Sequence, residues 1–443
     1  MKLAIIGGGG FRVPLVYGAL LGRRPFDEVV LYDVDAERLD RIALVLEGQA
    51  AEHGERLPFR TTTDLDDALE GAGFVFAAIR VGGLEGRTVD EGVPLGYGVL
   101  GQETTGPGGI CFALRTIPAM VDLAERVARR APDAWLVNFT NPAGMVTEAL
   151  QQVVGDRAIG ICDSPSGLCR RVGAALGREP DALWFDYFGL NHLGWLKGVR
   201  DGAAERLPEL LSDDAALEAL EEGRLFGAEW LRSIGMVPNE YLYYFYFAAD
   251  TVEAIGRSPR PRGAYLLDQQ AGFYAARPDS PAEAVRAWRA AKDERDRTYM
   301  AEARDGHEAE TTASPDDPGG YEAEALAVVE AIRSGTGAVR ILNTANRSAL
   351  GFLDDHAVVE VPCVVDGAGA RPVAVGPVPD HAAALMASVK AVERVTIEAA
   401  LTGSTALAVK ALALHPLVPS VTAARAIFAE YRQQLPTLEE RFA

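Results

Sequence analysis

The sequence predicts an α/β protein, a doubly wound parallel sheet over residues 1–165 followed by a second, α+β domain over residues 166–443. Three observations carry this. Apolar runs alternate with helical patterns through the first half of the chain. The first run, Lys2-Leu-Ala-Ile-Ile6, ends in four glycines, Gly7, Gly8, Gly9 and Gly10. Short polar segments then close three later apolar stretches: Asn138-Phe-Thr-Asn-Pro142, Cys162-Asp-Ser-Pro165 and Gly189-Leu-Asn-His192. In an open parallel sheet the ligand sits beyond the carboxyl ends of the strands. Asn141, Cys162, Asp163, Asn191 and His192 are therefore expected to meet at one site.

Taken in order, strands are expected at Leu3–Ile6, Val29–Tyr32, Phe74–Ile79, Trp135–Asn138 and Ala158–Ile161. Each precedes a loop and a helix-like segment, the pattern of right-handed βαβ units. A Gly-rich insertion from Val81 to Gly109 follows Arg80 and holds Arg87 and Glu103. Loops longer than about 12–15 residues in compact domains are usually functional, so this one is expected to overhang the site. Beyond residue 165, Ala203–Gly235 and Pro281–Arg304 read as charged, amphipathic helices, and Val339–Leu342, Val358–Val361 and Pro372–Val375 as strands. Glu302–Gly320 is acidic and turn-rich, a surface loop by composition. The aromatic run Tyr241–Phe247 reads as core, and the Ala-rich stretch Ala383–Leu414 as helix, in the core or at a subunit interface of a homodimer or homotetramer.

With 443 residues, 48% of them hydrophobic and 24% charged, the chain can bury a large core and divide into two or three domains. No stretch approaches the ~20 apolar residues of a membrane span, and the start lacks the charged n-region of a signal peptide. A cytoplasmic protein is expected. Four cysteines in so long a chain do not make a disulfide framework, which fits a reducing compartment. The formal net charge of −20 repels nucleic acid and anionic membranes. An anionic small-molecule substrate would need its own local arginines.

The glycine run lets the backbone approach a pyrophosphate at a helix N-terminus, and Asp33, closing the second strand, is placed for the adenosine ribose hydroxyls. An acid there favours NAD over NADP. Arg12 or Val13, according to register, stands where the fingerprint has its third glycine. A Rossmann-like dinucleotide domain is expected; the bland alternative is a Gly-rich turn joining strand to helix. Cys162 and His192 would suit a divalent transition ion whose remaining positions are left to water and substrate oxygens. Residue type alone equally allows a small buried hydrophobe and a structural histidine, with Arg87 and Arg262 as solvated surface charge.

Seven segments in order carry a resemblance: the glycines after the first strand, Arg80-Val-Gly-Gly-Leu-Glu-Gly-Arg87, Val99-Leu-Gly-Gln-Glu-Thr-Thr-Gly-Pro-Gly-Gly109, Asn138–Pro142, Ile161-Cys-Asp-Ser-Pro165, Gly189–His192 and Pro238-Asn-Glu-Tyr241. Together they resemble glycoside hydrolase family 4, the NAD- and manganese-dependent glycosidases, along essentially the whole chain. The resemblance implies hydrolysis through transient oxidation. NAD⁺ takes hydride from carbon 3 of the sugar, a base removes the acidified carbon 2 proton, the aglycone leaves carbon 1, water adds, and the hydride returns. Such enzymes stand outside the two-carboxylate scheme of most glycosidases.

By this resemblance Cys162 and His192 are the metal ligands, Tyr241 the carbon 2 base and Asp163 a candidate general acid. Arg87, Asn141 and Arg262 match residues that hold a substrate 6-phosphate, and Asn191 is expected beside them. Fixed, bidentate arginine donors suit phosphate in so acidic a protein. The Asp after Cys162 resembles 6-phospho-α-glucosidases, whereas the loops around Arg87 and Gln102 resemble the β enzymes; a 6-phospho-β-glucosidase is expected, with the α enzyme as alternative. A lactate/malate-type NAD-dependent dehydrogenase shares this architecture and would accumulate NADH. A nucleotide-sensing protein without chemistry would bind NAD and turn nothing over.

Overall fold

In a computed structural model of the chain, residues 1–257, 261–298 and 320–443 are described. The first six strands are β1 (Lys2–Ile6), β2 (Glu28–Tyr32), β3 (Phe59–Thr62), β4 (Ala72–Ala77), β5 (Trp135–Asn138) and β6 (Ala158–Gly160). They pair in parallel in the order β3-β2-β1-β4-β5-β6. That is the doubly wound order of dinucleotide-binding sheets, with its reversal point between β1 and β4. Period-two alternation sends Leu3 and Ile5 of β1 into one apolar layer and Ala4 and Ile6 into the other. Both faces of the sheet are thus buried, as a parallel sheet requires.

The expected second half supplies the rest of the same sheet. Its strands are β7 (Trp184–Leu190), β8 (Leu193–Asp201), β9 (Ala204–Glu205), β10 (Val237–Pro238), β11 (Ala338–Ala345), β12 (Val358–Asp366) and β13 (Gly369–Pro372). Antiparallel β11 docks on β6 and is followed outward by β12, β7, β8 and β10, so one sheet runs through both halves. Its free edge at β6 is covered by β11, about 180 residues later in the chain.

Several elements depart from expectation. The stretch Val81–Gly109 borders the cavity as expected but is not one loop: it holds the helix Gly83–Leu95, an irregular connection over 96–105, and the start of the helix Gly106–Arg130. Ala203–Gly235 breaks into four helices of six or seven residues, Leu207–Ser212, Asp214–Ala219, Glu221–Phe226 and Ala228–Ile234. The third late strand is Gly369–Pro372 rather than Pro372–Val375. The helix from Pro281 runs to Arg297; its expected continuation to Arg304 and the acidic segment up to residue 319 lie outside the described residues. Ala383–Leu414 falls in the helices Asp380–Thr402 and Thr405–Leu414. All four cysteines are free and buried. No helix among the described residues is long and apolar enough to cross a membrane.

Candidate active site

The carboxyl ends of β1, β2, β4, β5, β6 and β7 open on one cavity of ≈ 2700 Å³. Pockets for one small ligand span roughly 300–1,000 Å³, so a dinucleotide and a sugar fit together. At the β1 end, Gly7 adopts φ +90°, and a Cβ there would stand 2.6 Å from the Ala78 carbonyl oxygen. A Cβ on Gly9 would meet Arg38 Cβ at 2.8 Å. The loop is stripped to backbone by the closeness of its neighbours. Asp33 closes the other side: its Oδ2 accepts from Gly9 N at 2.9 Å and its Oδ1 from Asp35 N at 3.2 Å. Each oxygen keeps a lone pair for a hydroxyl.

Cys162 stands just past β6 and His192 in the two-residue turn joining β7 to β8. His192 takes the left-handed backbone, φ 60°, a conformation held only where surroundings enforce it. The turn delivers its ring to the same cavity as Cys162, Asp163 and Tyr241. Thr104 sets the tautomer. Its hydroxyl donates to Gln102 Oε1 at 3.0 Å, so its oxygen accepts from His192 Nδ1–H at 2.9 Å, and Nε2 is left with a bare lone pair. Burial pulls the His192 pKa down to about 4, against the charges of Asp163 and Glu103, so the ring is neutral near pH 7. A neutral, oriented imidazole is what a divalent metal needs. The Cys162 thiol is raised well above its usual value, by burial first and then by Glu360 and Asp163. No group of three or more His, Cys, Asp or Glu ligands occurs among the described residues, so a metal on Cys162 and His192 would complete its shell with water and substrate. Thr104→Val is expected to weaken Mn²⁺ binding by about 10- to 100-fold, the usual cost of removing such a supporting bond; an unchanged Mn²⁺ titration would mean that Thr104 does not orient the ring.

The Tyr241 ring lies parallel to that of His192, centroids 3.6 Å apart. Its backbone is pinned by Asn239 Oδ1, which accepts from Tyr241 N at 2.9 Å. Asp163 precedes the helix Ser164–Ala175 without capping it, and faces the cavity. Asn141 also lines it, and its buried Oδ1 has no partner among the described residues, an amide set for a ligand. Asn191 is bound within the protein at both ends of its amide: Oδ1 accepts from Ala143 N at 3.1 Å and Nδ2 donates to Glu360 Oε1 at 3.3 Å.

Arg87 projects from the helix Gly83–Leu95, buried, with Nε on Glu91 Oε1 at 2.7 Å and Nη1 on Glu103 Oε1 at 2.8 Å. Arg80 meets the other oxygen of Glu103 at 2.5 Å. Burial alone would raise the Glu103 carboxyl; Arg80, Arg87 and Arg295 outweigh it and hold it down to about 2. Arg262 opens the helix Arg262–Ala275, whose Gly263 N donates to Glu91 Oε2 at 2.6 Å. The Arg262 fork donates to carbonyl oxygens of Thr298 at 2.6 Å and Arg295 at 2.9 Å.

Two buried carboxyls escaped the sequence reading. Glu360 accepts from Asn343 Nδ2 at 2.9 Å and Tyr187 OH at 3.0 Å besides Asn191, and burial still raises it to about 7. Glu240 accepts from Ser164 Oγ at 2.6 Å and is raised by burial to about 8, against the pull of Arg171. A lone Glu inside the apolar run Val358–Val361 is a signal that could have flagged the first.

Two family models match the chain, Family 4 glycosyl hydrolase over residues 2–178 and Family 4 glycosyl hydrolase C-terminal domain over residues 187–418. The chain belongs to glycosyl hydrolase family 4. Within the family it is 32% identical to a probable 6-phospho-β-glucosidase of Bacillus subtilis, over 97% of this chain and 95% of the relative. It is 31% identical to 6-phospho-α-glucosidase 1 of Lacticaseibacillus paracasei, over 97% and 96%. Its structure resembles that of the Thermotoga maritima 6-phospho-β-glucosidase solved with manganese, NAD⁺ and glucose-6-phosphate, at TM-score 0.82 and 26% identity over 98% of both chains. A malate dehydrogenase of Plasmodium falciparum, 14% identical at TM-score 0.54 over 90% of this chain and 98% of that one, shares the fold alone.

Proposed function

We propose that this family 4 enzyme is a cytoplasmic 6-phospho-β-glucosidase using NAD⁺ and a divalent metal, Mn²⁺ by the chemistry of its ligands. The observation that carries the reading is one cavity lined by a glycine loop, an oriented neutral histidine and a buried thiol, a tyrosine stacked on that histidine, and a buried arginine cluster. The Gly7–Gly10 backbone receives the pyrophosphate and Asp33 the adenosine ribose. When bound, the dinucleotide supplies reversible hydride transfer and the metal Lewis-acid polarisation of sugar oxygens. Cys162 and His192 hold that metal. Tyr241 takes the carbon 2 proton on its phenol oxygen, and Asp163 offers a proton to the departing aglycone oxygen. Arg87 and Asn141 hold the 6-phosphate away from the reacting carbons. The α-anomer reading rests on Asp163 directly following Cys162, and on near-equal identity to the relatives of both names.

The test is an assay of wild type and Arg87→Ala on paired p-nitrophenyl α- and β-glucoside 6-phosphates and their unphosphorylated counterparts, with NAD⁺ and Mn²⁺. Wild type is expected to release nitrophenol from the phosphorylated β anomer without net NADH. Arg87→Ala should weaken use of the phosphorylated substrate by about 2–5 kcal/mol, the range for deleting one partner of a buried charged pair. Turnover of the α anomer alone would reverse the anomer; NADH accumulating with substrate would make the protein a dehydrogenase. An equal loss on unphosphorylated glucosides would move the phosphate away from Arg87.

A further inference from the structure

The arginines that the sequence assigns to the phosphate are largely engaged already. Arg87 is shared between Glu91 and Glu103, and the Arg262 fork donates to two carbonyls at the end of the neighbouring helix. A phosphate monoester near pH 7 carries close to two charges and three strong acceptor oxygens. It needs donors with no prior commitment.

Two further guanidinium groups face the same cavity, and neither stands in the resemblance. Arg12 sits in the nucleotide loop at the start of the helix Val13–Leu20. Its guanidinium reaches across the sheet ends to lie 5.2 Å from the Tyr321 ring centroid and 5.8 Å from that of Phe139. Two aromatic faces thus flank the cation, and the charges of Asp163, Asp296 and Glu322 act on it against the cost of burial. Arg295 comes from the last turn of the helix Pro281–Arg297 and lines the same cavity, within electrostatic reach of Arg12. Among the described residues, neither guanidinium donates a hydrogen bond or forms an ion pair.

The geometry points to Arg12 and Arg295 as a clasp for the substrate's phosphate, closing on it from the nucleotide loop and from the helix Pro281–Arg297 while Arg87 holds it from the side. This rests on the 6-phosphoglycoside reading above and adds two specificity-determining residues to it. Electrostatics supports it independently. Burial, and then the like charges of Arg12, Arg87 and Arg262, pull the Arg295 guanidinium down to about 9. Arg12, Arg87 and Arg262 thus press on Arg295 in a cavity also lined by Glu91, Glu103, Asp163 and Asp296, and an anion between the guanidinium groups would relieve that repulsion.

The experiment compares glucose 6-phosphate, glucose and inorganic phosphate binding to wild type, Arg12→Gln, Arg295→Gln and Arg295→Lys, by calorimetry in the presence of NAD⁺ and Mn²⁺. NAD⁺ affinity and thermal melting are read on every variant. Each Gln variant is expected to bind glucose 6-phosphate roughly 10- to 100-fold more weakly, the equivalent of one or two charged hydrogen bonds, with NAD⁺ affinity unchanged. Arg295→Lys keeps the charge and should recover part of the loss, which a merely structural role would not show. Unchanged glucose 6-phosphate binding in both Gln variants overturns the clasp. Loss of NAD⁺ affinity in Arg12→Gln with glucose 6-phosphate unaffected would assign Arg12 to the pyrophosphate instead, and likewise overturns it. A wild type that binds glucose as well as glucose 6-phosphate would sink the phosphoglycoside reading itself, whatever the variants do.

Discussion

Cys162→Ser is expected to fold, bind NAD⁺ and lose at least about 100-fold of turnover, more than the cost of losing a mere supporting bond to a metal ligand. The change removes no volume of consequence from a buried position, so packing should survive. What it removes is the soft donor: a thiolate binds a transition ion far better than a serine hydroxyl, which stays protonated. The environment sharpens the contrast. Burial and the nearby Glu360 and Asp163 charges keep the free thiol protonated well above its usual range, so metal binding must expel a proton. Mn²⁺ affinity of wild type should therefore rise with pH, by about tenfold per unit for one proton released, while His192, neutral above about 4, adds nothing to that slope near pH 7. In the serine variant both the affinity and the slope should collapse. A variant titrating with Mn²⁺ like wild type, with the same pH slope, would show that Cys162 is only a packed hydrophobe.

The fold's first half was legible because each parallel strand is an uninterrupted apolar run, a pattern that needs no partner to be seen. β3 was not: Phe59-Arg-Thr-Thr62 is a short, mixed edge strand whose pairing with β2 alone reveals it. The helix Gly83–Leu95 was hidden by Gly83, Gly86 and Gly92, each costing a helix about 1 kcal/mol relative to alanine. Tertiary contacts override that cost. Arg115 presses so close that a Cβ on Gly86 would lie 3.1 Å from its Nη2, and Arg115 is locked bidentately to Asp90 of the same helix at 2.7 and 2.8 Å. Sequence spacing carries no trace of a guanidinium arriving from another helix.

The site divides the same way. Cys162, Asp163, Asn141 and His192 are found by rule, because strand ends in an open α/β sheet face one crevice. Glu360 reaches the site only because β12 pairs with β7, Glu360 opposite Gly189, a register fixed 171 residues apart in the chain. Arg295 is one of many charges on the helix Pro281–Arg297, and nothing local separates it from Arg289, which also borders the cavity but is half exposed and spent on Glu52. Only the fold says which arginine is the more buried there.

Tyr241→Phe is expected to slow turnover by about 10²–10⁴-fold, the usual contribution of a positioned general base, while leaving NAD⁺ and metal binding intact. A phenol ordinarily ionises near pKa 10, so it serves as a base near neutrality only where positive charge favours its anion. The site supplies that charge. Arg87 lies within electrostatic reach of Tyr241, and a metal on the His192 ring stacked against it would bring two more positive charges close by. Removing the hydroxyl keeps the ring, its stack on His192 and the Asn239 bond to its backbone, so the variant takes away the proposed proton acceptor with little change in packing. The carbon 2 proton becomes acidic only after carbon 3 is oxidised, which makes isotope exchange the decisive readout. With substrate deuterated at carbon 2, wild type should lose label to solvent during turnover and the variant should do so far more slowly, at equal occupancy by NAD⁺ and Mn²⁺. If exchange per folded molecule is unchanged while melting temperature drops, Tyr241 is a core aromatic and the base is another group of the cavity.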